Sequence, residues 1–344
     1  MKSKFVQQRT RKLVAAIIAV LVIMGISQQT VHADNKNNFS IQTLNQDGTV
    51  NQQGFYHLIG HPGEKQTIAL KVYNASEEEI TIKAAVNPAS TNKNGIPNYM
   101  GEEQYDSSLK YRMDELVSIE ETKVKVPASG SVTVNATVIF PDKEWEGDVL
   151  GGIRITEEAE QNSEQTVVHE VAYTVGILLN QTNGVSVENE LHLQKVSAGQ
   201  RNYRTYIEAN VQNSAAAIIR EMNVQAKIIE KNSETPIYTY DAYELRMAPN
   251  SNFDFGIPTG DQPIKAGDYL LDMIIQADGK EYQFQKNFTI GGSEARQLNQ
   301  SSVNIVKTSN AFPANLVITG LVLVGLILFV SGYLHKRKNR SLTQ

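Results

Sequence analysis

The chain has 344 residues, a formal net charge of −5 and no cysteine. Without cysteine it can form neither a disulfide framework nor a lipid anchor on a thiol, so its domains must be stabilised by hydrophobic cores. The acidic balance repels nucleic acid at long range, and we predict no nucleic-acid partner.

The first 33 residues predict a secretory signal peptide. Five Lys and Arg residues precede Leu13–Ile26, an uncharged apolar run, and Val31-His32-Ala33 offers a signal-peptidase site. Cleavage is expected between Ala33 and Asp34. An uncleaved N-terminal anchor is the alternative, although fourteen apolar residues are short for a membrane span.

The region from 34 to 290 has the period-2 alternation that is typical of β-strands. Apolar and polar residues alternate through Thr67–Tyr73, Val132–Val138 and Tyr206–Val211. Turn-forming Pro, Gly, Asn and Asp residues separate these runs. The pattern predicts an all-β chain of two tandem Ig-like β-sandwich domains, at 34–160 and 161–290.

The two halves share an ordered pattern of short matches. With their flanking residues, Asn74 matches Asn213, Pro127 matches Pro249 and Gly147 matches Gly267. Asn74 and Pro127 are 53 residues apart, whereas Asn213 and Pro249 are 36 apart. We interpret the first half as a copy with a long inserted loop of about the size of Asn87–Tyr105, and chance similarity between two β domains is the alternative.

The domain boundary is expected within 156–184, where the acidic segment Glu157–Glu164 breaks the alternation. This segment could also be a hairpin loop of the first domain, with Val167–Leu179 as its last strand. Both interpretations begin the second domain near Gly184 or just before it.

The C-terminal part predicts a membrane anchor. Residues 291–313 are polar and are expected to form a linker, with a span of roughly 25 Å if flexible. Residues 314–334 predict one transmembrane helix, because Leu316–Leu334 carries no charge and is long enough to cross a bilayer. The basic tail, 335–344, is expected in the cytoplasm. The chain is thus predicted to be a single-pass type I membrane protein, with its ectodomain outside the cell in or near the wall.

The charge of this ectodomain is more negative than that of the whole chain. The basic residues of the signal and the tail lie outside it, which leaves 23 Lys and Arg against 37 Asp and Glu. The resulting charge of about −14 favours basic partners or neutral glycans, although a solvated acidic surface without a particular partner is equally consistent with it.

No catalytic, cofactor-binding or metal-binding pattern stands out, and we predict a non-enzymatic protein without a cofactor. His57 and His61 are four residues apart, but Gly60 and Pro62 oppose the helix that would place them on one face, so a turn is favoured over a metal site. A cell-wall polysaccharide hydrolase is one alternative function, since the carboxylates are plentiful. A structural spacer or assembly factor at the envelope is another.

Two features are candidate recognition surfaces. The inserted loop carries Asn92, Asn94, Gly95, Tyr99 and Tyr105, and amide and phenol groups on a loop suit glycan or peptide binding. Trp145 is the only Trp, and the charges beside it suggest partial exposure. The alternatives are a loop whose Asn and Gly residues only make turns, and a Trp that covers a core.

Short motifs in order along the chain resemble the WxL-interacting proteins of Gram-positive bacteria. In the first half they are Phe39-Ser40-Ile41, His61-Pro62-Gly63, Val72-Tyr73-Asn74, Thr91–Tyr99 and Trp145–Ile153. In the second half they are Asn183-Gly184, Ala266–Tyr269 and Phe288-Thr289-Ile290. The signal, two domains, span and basic tail also follow the layout of this family.

The resemblance implies two Ig-like domains at the cell surface, the first binding peptidoglycan and the second binding host or matrix proteins. It also implies complexes with WxL-domain surface proteins, in which this chain is the partner because it has no Trp-x-Leu of its own. It implies no catalytic residue. Peptidoglycan contact is assigned to the inserted loop as a hypothesis.

Overall fold

The computed structural model describes residues 39–102, 104–158, 171–181 and 187–303. The predicted signal peptide, transmembrane helix and basic tail lie outside this part of the chain. Among the described residues, no helix combines the length and the apolar character needed to cross a membrane. The described residues form two β units, which we call the N-terminal unit (39–181) and the C-terminal unit (187–303).

The N-terminal unit contains two sheets, a small hairpin and one helical turn. Its strands are β1 (Phe39–Leu44), β2 (Tyr56–Ile59), β3 (Lys65–Asn74), β4 (Ile80–Pro88), β5 (Ser90–Thr91), β6 (Pro97–Asn98), β7 (Val117–Ile119), β8 (Lys123–Val126), β9 (Ser131–Ile139), β10 (Val149–Glu157) and β11 (Ala172–Asn180), and α1 is Met113–Leu116. One sheet has the order β1-β3-β9-β7, the other β2-β11-β10-β4-β8, and β5 pairs with β6.

The C-terminal unit also contains two sheets. Its strands are β12 (Leu191–Arg201), β13 (Arg204–Asn213), β14 (Ile219–Glu230), β15 (Pro236–Met247), β16 (Ser251–Pro258), β17 (Gly267–Ala277) and β18 (Lys280–Ile290), and helix α2 is Gly292–Ser301. The sheet orders are β12-β13-β16 and β15-β14-β17-β18.

Each unit is held together by one hydrophobic core between its two sheets. In β3, alternate residues Ile68, Leu70 and Val72 are buried while their neighbours face outwards, as the period-2 pattern predicts. The cores are separate clusters, one drawn from strands of the N-terminal unit and one from strands of the C-terminal unit. The all-β prediction is therefore confirmed for the described residues.

The two units have the same strand order, and this is the structural counterpart of the internal repeat. Without β2 and β7, the N-terminal sheets read β1-β3-β9 and β11-β10-β4-β8. Numbered in chain order, these seven strands correspond one by one to β12–β18, so that β3 corresponds to β13 and β8 to β15. With this correspondence the N-terminal sheet orders are the same as the C-terminal ones.

A buried Asn occupies the same place in both units. The Asn74 amide donates to the carbonyl oxygens of Glu78 and Val126, at 2.7 and 3.1 Å. The Asn213 amide donates to those of Ala217 and Ala248, at 2.8 and 3.2 Å. In each case the acceptors are the residue four positions later and the residue before the matched Pro. The two halves of the repeat therefore share one structural arrangement, in which the amide of a buried Asn joins three chain segments.

Strand β11 and helix α2 lie at the two expected boundaries, which stay predictions. The expected division at 160/161 would separate β11 from its own sheet, because β11 pairs with β10 and β2 and buries Val175, Ile177 and Leu179 in the N-terminal core. The expected linker at 291–313 begins with α2, which buries Ala295 against the C-terminal core. Too few apolar residues mark α2 for a sequence pattern to reveal it.

Candidate functional site

The inserted segment folds into a small hairpin that projects from the N-terminal unit. Strands β5 and β6 pair through Ser90↔Asn98 and Thr91↔Pro97. Between them, the Asn92 side-chain oxygen accepts the backbone N–H of Asn94 at 2.9 Å. Gly95 has a φ of 67°, which favours glycine, and its N–H donates to the Asn92 carbonyl at 2.9 Å. The Asn and Gly residues of this segment thus build the turn itself.

This hairpin docks on the C-terminal unit. The hydroxyls of Thr91 and Ser251 are 2.6 Å apart, and the Ala248 N–H donates to the Thr91 hydroxyl at 3.0 Å. The Arg246 N–H donates to the Gly95 carbonyl at 2.7 Å. These contacts are buried or partly buried. They hold β5 against the turn between β15 and β16.

Asp106 adds a second set of bonds between the units. One carboxylate oxygen accepts the Gln212 amide at 2.8 Å, and the other accepts the Asn252 amide at 2.6 Å. The N–H and hydroxyl of Ser108 also donate to Asp106, at 2.9 and 2.7 Å. Burial alone would raise the pKa of Asp106, but these four hydrogen bonds outweigh it, so its pKa lies below the ordinary value.

A polar pocket of about 380 Å³ lies between the docked segment and the C-terminal unit. Its lining includes Asn92, Lys93, Glu102, Tyr105, Asn210 and Asp254. The phenol ring of Tyr105 is held by the Arg112 guanidinium, 5.0 Å from the ring centre. Amides, carboxylates and the ring of Tyr105 in a partly open pocket suit a ligand rich in hydroxyl and amide groups.

The structure brings only part of the predicted site to this pocket. Asn92 and Tyr105 line it, and Asn94 is exposed at the turn of the hairpin. Gly95 is buried against Leu245, whose side chain would lie 3.0 Å from an added Cβ. Tyr99 is half-buried over β10 and β11, where its ring lies above Gly152, and burial raises the pKa of its phenol. The ligand-binding role of these residues stays a prediction.

Trp145 lies in the N-terminal core and not at the pocket. Only 7% of it is exposed, and its ring packs against those of Phe140 and Tyr111, at centroid distances of 6.0 and 5.0 Å. Its backbone N–H donates to the Gln181 side chain at 3.0 Å. Its indole N–H is buried and has no hydrogen-bond partner among the described residues. The flanking Glu144 and Glu146 are exposed, which explains why the local sequence suggested an exposed Trp.

A second cleft between the units, of about 840 Å³, lies beside the turn before β10. There the Asp148 N–H donates to the Ala216 carbonyl at 2.7 Å, and the Asp148 carboxylate accepts the Ile218 N–H at 3.2 Å. His57 lines this cleft and contacts the Asn180 side chain at 2.7 Å. Within the described residues, no group of three or more His, Asp or Glu side chains could hold a metal ion.

Sequence reasoning missed several residues that join the units. Among them are Thr91, Asp106, Gln212, Ser251 and Asn252. One signal was available for Asp106, because it directly follows the inserted segment and begins an Asp-x-Ser turn.

Two family models match the chain in the order of its two units. Residues 39–157 match the WxL Interacting Protein, peptidoglycan binding domain, and residues 162–300 match the WxL Interacting Protein, host binding domain. The chain belongs to the WxL Interacting Protein family. The resemblance read from the sequence is confirmed. Both matched models describe binding domains, which supports a binding role at the cell surface.

Searches of other known proteins add little. No curated protein matches the chain. A PapD-like domain of human CEP192 is 10% identical, with a TM-score of 0.27 over 43% of this chain and 87% of that one. The class 5 fimbriae chaperone CfaA is 14% identical (TM-score 0.31; 73% and 98% covered), and the E. coli chaperone DraB is 12% identical (TM-score 0.28; 72% and 98% covered). With TM-scores this low, these similarities support no statement about this chain.

Proposed function

We propose that this member of the family is a non-enzymatic adaptor at the cell surface. Its N-terminal unit binds peptidoglycan, its C-terminal unit binds a host or matrix protein, and the whole associates with a WxL-domain protein. The matched domain descriptions support this division of labour. We further propose that each unit is an Ig-like domain, that the boundary between them follows β11, and that residues 1–33 and 314–334 act as signal and membrane anchor.

The pocket beneath the β5–β6 hairpin is our proposed peptidoglycan site. The observation that carries this proposal is its lining, which combines side chains of the N-terminal unit, such as Asn92 and Tyr105, with Asn210 and Asp254 of the C-terminal unit. Sugar hydroxyls and acetamido groups both donate and accept hydrogen bonds, as amide and carboxylate side chains require. The Tyr105 ring offers a flat apolar face to a sugar ring.

Pelleting with purified peptidoglycan tests this site. The ectodomain, residues 34–303, is expected to sediment with the wall material and to release no soluble fragments from it. Tyr105→Ala is expected to weaken pelleting at least tenfold. Tyr203→Ala is the matched control, because Tyr203 is a Tyr at a hairpin turn of the C-terminal unit with 66% of its surface exposed. Equal pelleting of both variants would place the glycan site elsewhere.

The membrane anchor has its own test. In intact cells, an epitope tag after Gln344 is expected to resist external protease, whereas the described units are digested. A tag that is cleaved from outside would refute the proposed topology without touching the pocket.

A further inference from the structure

Strand β15 presents a long free edge. It is the outermost strand of its sheet and has twelve residues, and among the described strands it pairs only with β14. Its exposed apolar side chains include Ile237 and Tyr240, and Tyr243 has 61% of its surface exposed. An edge of this kind carries unpaired backbone N–H and C=O groups to which another strand can bond.

The corresponding edge of the N-terminal unit is protected. Strand β8 takes the place of β15 in the shared strand order, but it has only four residues, Lys-Val-Lys-Val. Its Lys123 and Lys125 form ion pairs with Glu158 and Glu79, at 2.8 and 2.7 Å. Short length and Lys side chains are two devices by which proteins prevent strand addition. The N-terminal unit uses both.

The edge of β15 lacks these devices over most of its length. Residues 232–245 contain no Lys or Arg and three acidic residues, Glu234, Asp241 and Glu244. A Pro at its first position and a bulge near Glu244, with a φ of 59°, lie at the two ends. The segment Ile237–Tyr243 between them is left open to another strand.

The docked hairpin already uses one end of this edge. The bond between the Arg246 N–H and the Gly95 carbonyl is a backbone contact from outside the sheet, and Leu245 packs against Gly95. The open segment therefore continues directly from the interface between the units. A partner strand placed along it would end against the hairpin.

We propose that the edge Ile237–Tyr243 docks an extended segment of a partner protein, which adds to the sheet as a fifth strand. The acidic and aromatic side chains along the edge select a segment in which Lys or Arg alternates with apolar residues, because opposite charges and aromatic–aliphatic pairs stabilise neighbouring strands. This inference rests on the proposed protein-binding role of the C-terminal unit and is independent of the pocket.

A defined peptide tests the edge. A fluorescein-labelled decapeptide of alternating Lys and Val is titrated with the ectodomain at 150 mM salt, and anisotropy is measured. Binding is expected, and a peptide of equal charge with two central Val residues replaced by Pro is expected to bind at least tenfold more weakly, because Pro cannot complete the ladder. Equal affinity for the two peptides would show attraction by charge alone and would overturn the proposal.

Protein variants locate the peptide. The double variant Asp241→Lys, Tyr243→Lys is expected to weaken peptide binding at least tenfold, and Tyr203→Lys, on another exposed turn, to leave it unchanged. Unchanged binding to the double variant would overturn the proposal. So would a dimer of the ectodomain in sedimentation velocity that the double variant abolishes, because a second copy would then occupy the edge. Capture of a purified WxL-domain protein that survives the double variant would refute the edge but leave the proposed function standing.

Discussion

Replacing Asp106 with Ala tests whether the contacts made just after the inserted segment hold the two units together. The substitution removes the acceptor of the Gln212 and Asn252 amides in the C-terminal unit and leaves the pocket-lining aromatic ring in place. It also removes the turn bonds from Ser108. We expect both units to keep their separate cores, since neither core cluster contains Asp106.

The expected loss follows from the two bonds that cross the interface. A hydrogen bond to a charged group contributes about 1.5–3 kcal/mol. Asp106 is only partly buried, so water replaces some of what is lost. We therefore expect a loss of about 2–3 kcal/mol in all. For a urea m-value of about 1.5–2 kcal/mol/M, this loss lowers the unfolding midpoint of the unit that the interface stabilises by about 1–2 M.

The single Trp makes the assay selective. Trp145 lies in the N-terminal core, so its fluorescence follows that unit, whereas circular dichroism follows both. In the wild-type ectodomain we expect the two signals to change together in urea, and in Asp106→Ala we expect them to separate. Asp114→Ala is the control, because Asp114 pairs with Arg112 on the exposed surface and contacts no residue of the C-terminal unit in the bonds described.

Coincident transitions in Asp106→Ala, with a midpoint within about 0.3 M of the wild type, would refute the reasoning. Such a result would mean that the contacts of Thr91 and Gly95 suffice, or that the units do not stabilise each other.

Three further predictions concern the same interface. Gly147→Ala is expected to lower stability in urea at least about twice as much as Gly48→Ala, which costs about 1–2 kcal/mol for its positive φ alone. Both glycines have a positive φ, but only at Gly147 would the added Cβ meet the Ala216 carbonyl oxygen, at 2.2 Å. Equal losses in the two variants would contradict this clash. Thr91→Val is expected to lower stability by about 1–3 kcal/mol in thermal unfolding, because it leaves a buried backbone N–H unpaired, and an unchanged midpoint would speak against that bond. Because the pKa of Asp106 is lowered in the folded protein, its contribution to the free energy of unfolding is complete above the ordinary pKa of 3.8 and is lost as the pH falls through the lower folded pKa. The difference in stability between wild type and Asp106→Ala should therefore be constant from pH 7 to about 5 and disappear well below pH 4. A difference that disappears near pH 6 would point to another group.

Local patterns predicted much of the fold. The alternation in Thr67–Tyr73 identifies a half-buried strand because side chains on a strand point to opposite faces in turn. The shared order of the motifs around Asn74, Pro127 and their counterparts predicted the repeat. The buried amide bonds to the residue before the matched Pro in both units, so the two motifs keep the same relation in each fold.

The docking of the inserted segment could not be predicted in this way. The contact between Thr91 and Ser251 joins residues 160 positions apart, and nothing in either local sequence points to the other. The orientation of Trp145 is also decided by packing, because exposed charges on both sides of a residue say nothing about the direction of the side chain between them. The role of Asp106 could not be predicted either, since it depends on amides of the other unit.

Under the proposed attachment to wall and membrane, the docked hairpin has a mechanical consequence. The chain connection between the units is one path for tension, and the bonds of Thr91, Gly95 and Asp106 form a second path beside it. Because these bonds are spread over several residues, a pull that separates the units loads more than one of them. Under shear at the cell surface, these bonds between the units would carry load first. The backbone that links the units would carry the full load only after the bonds have broken.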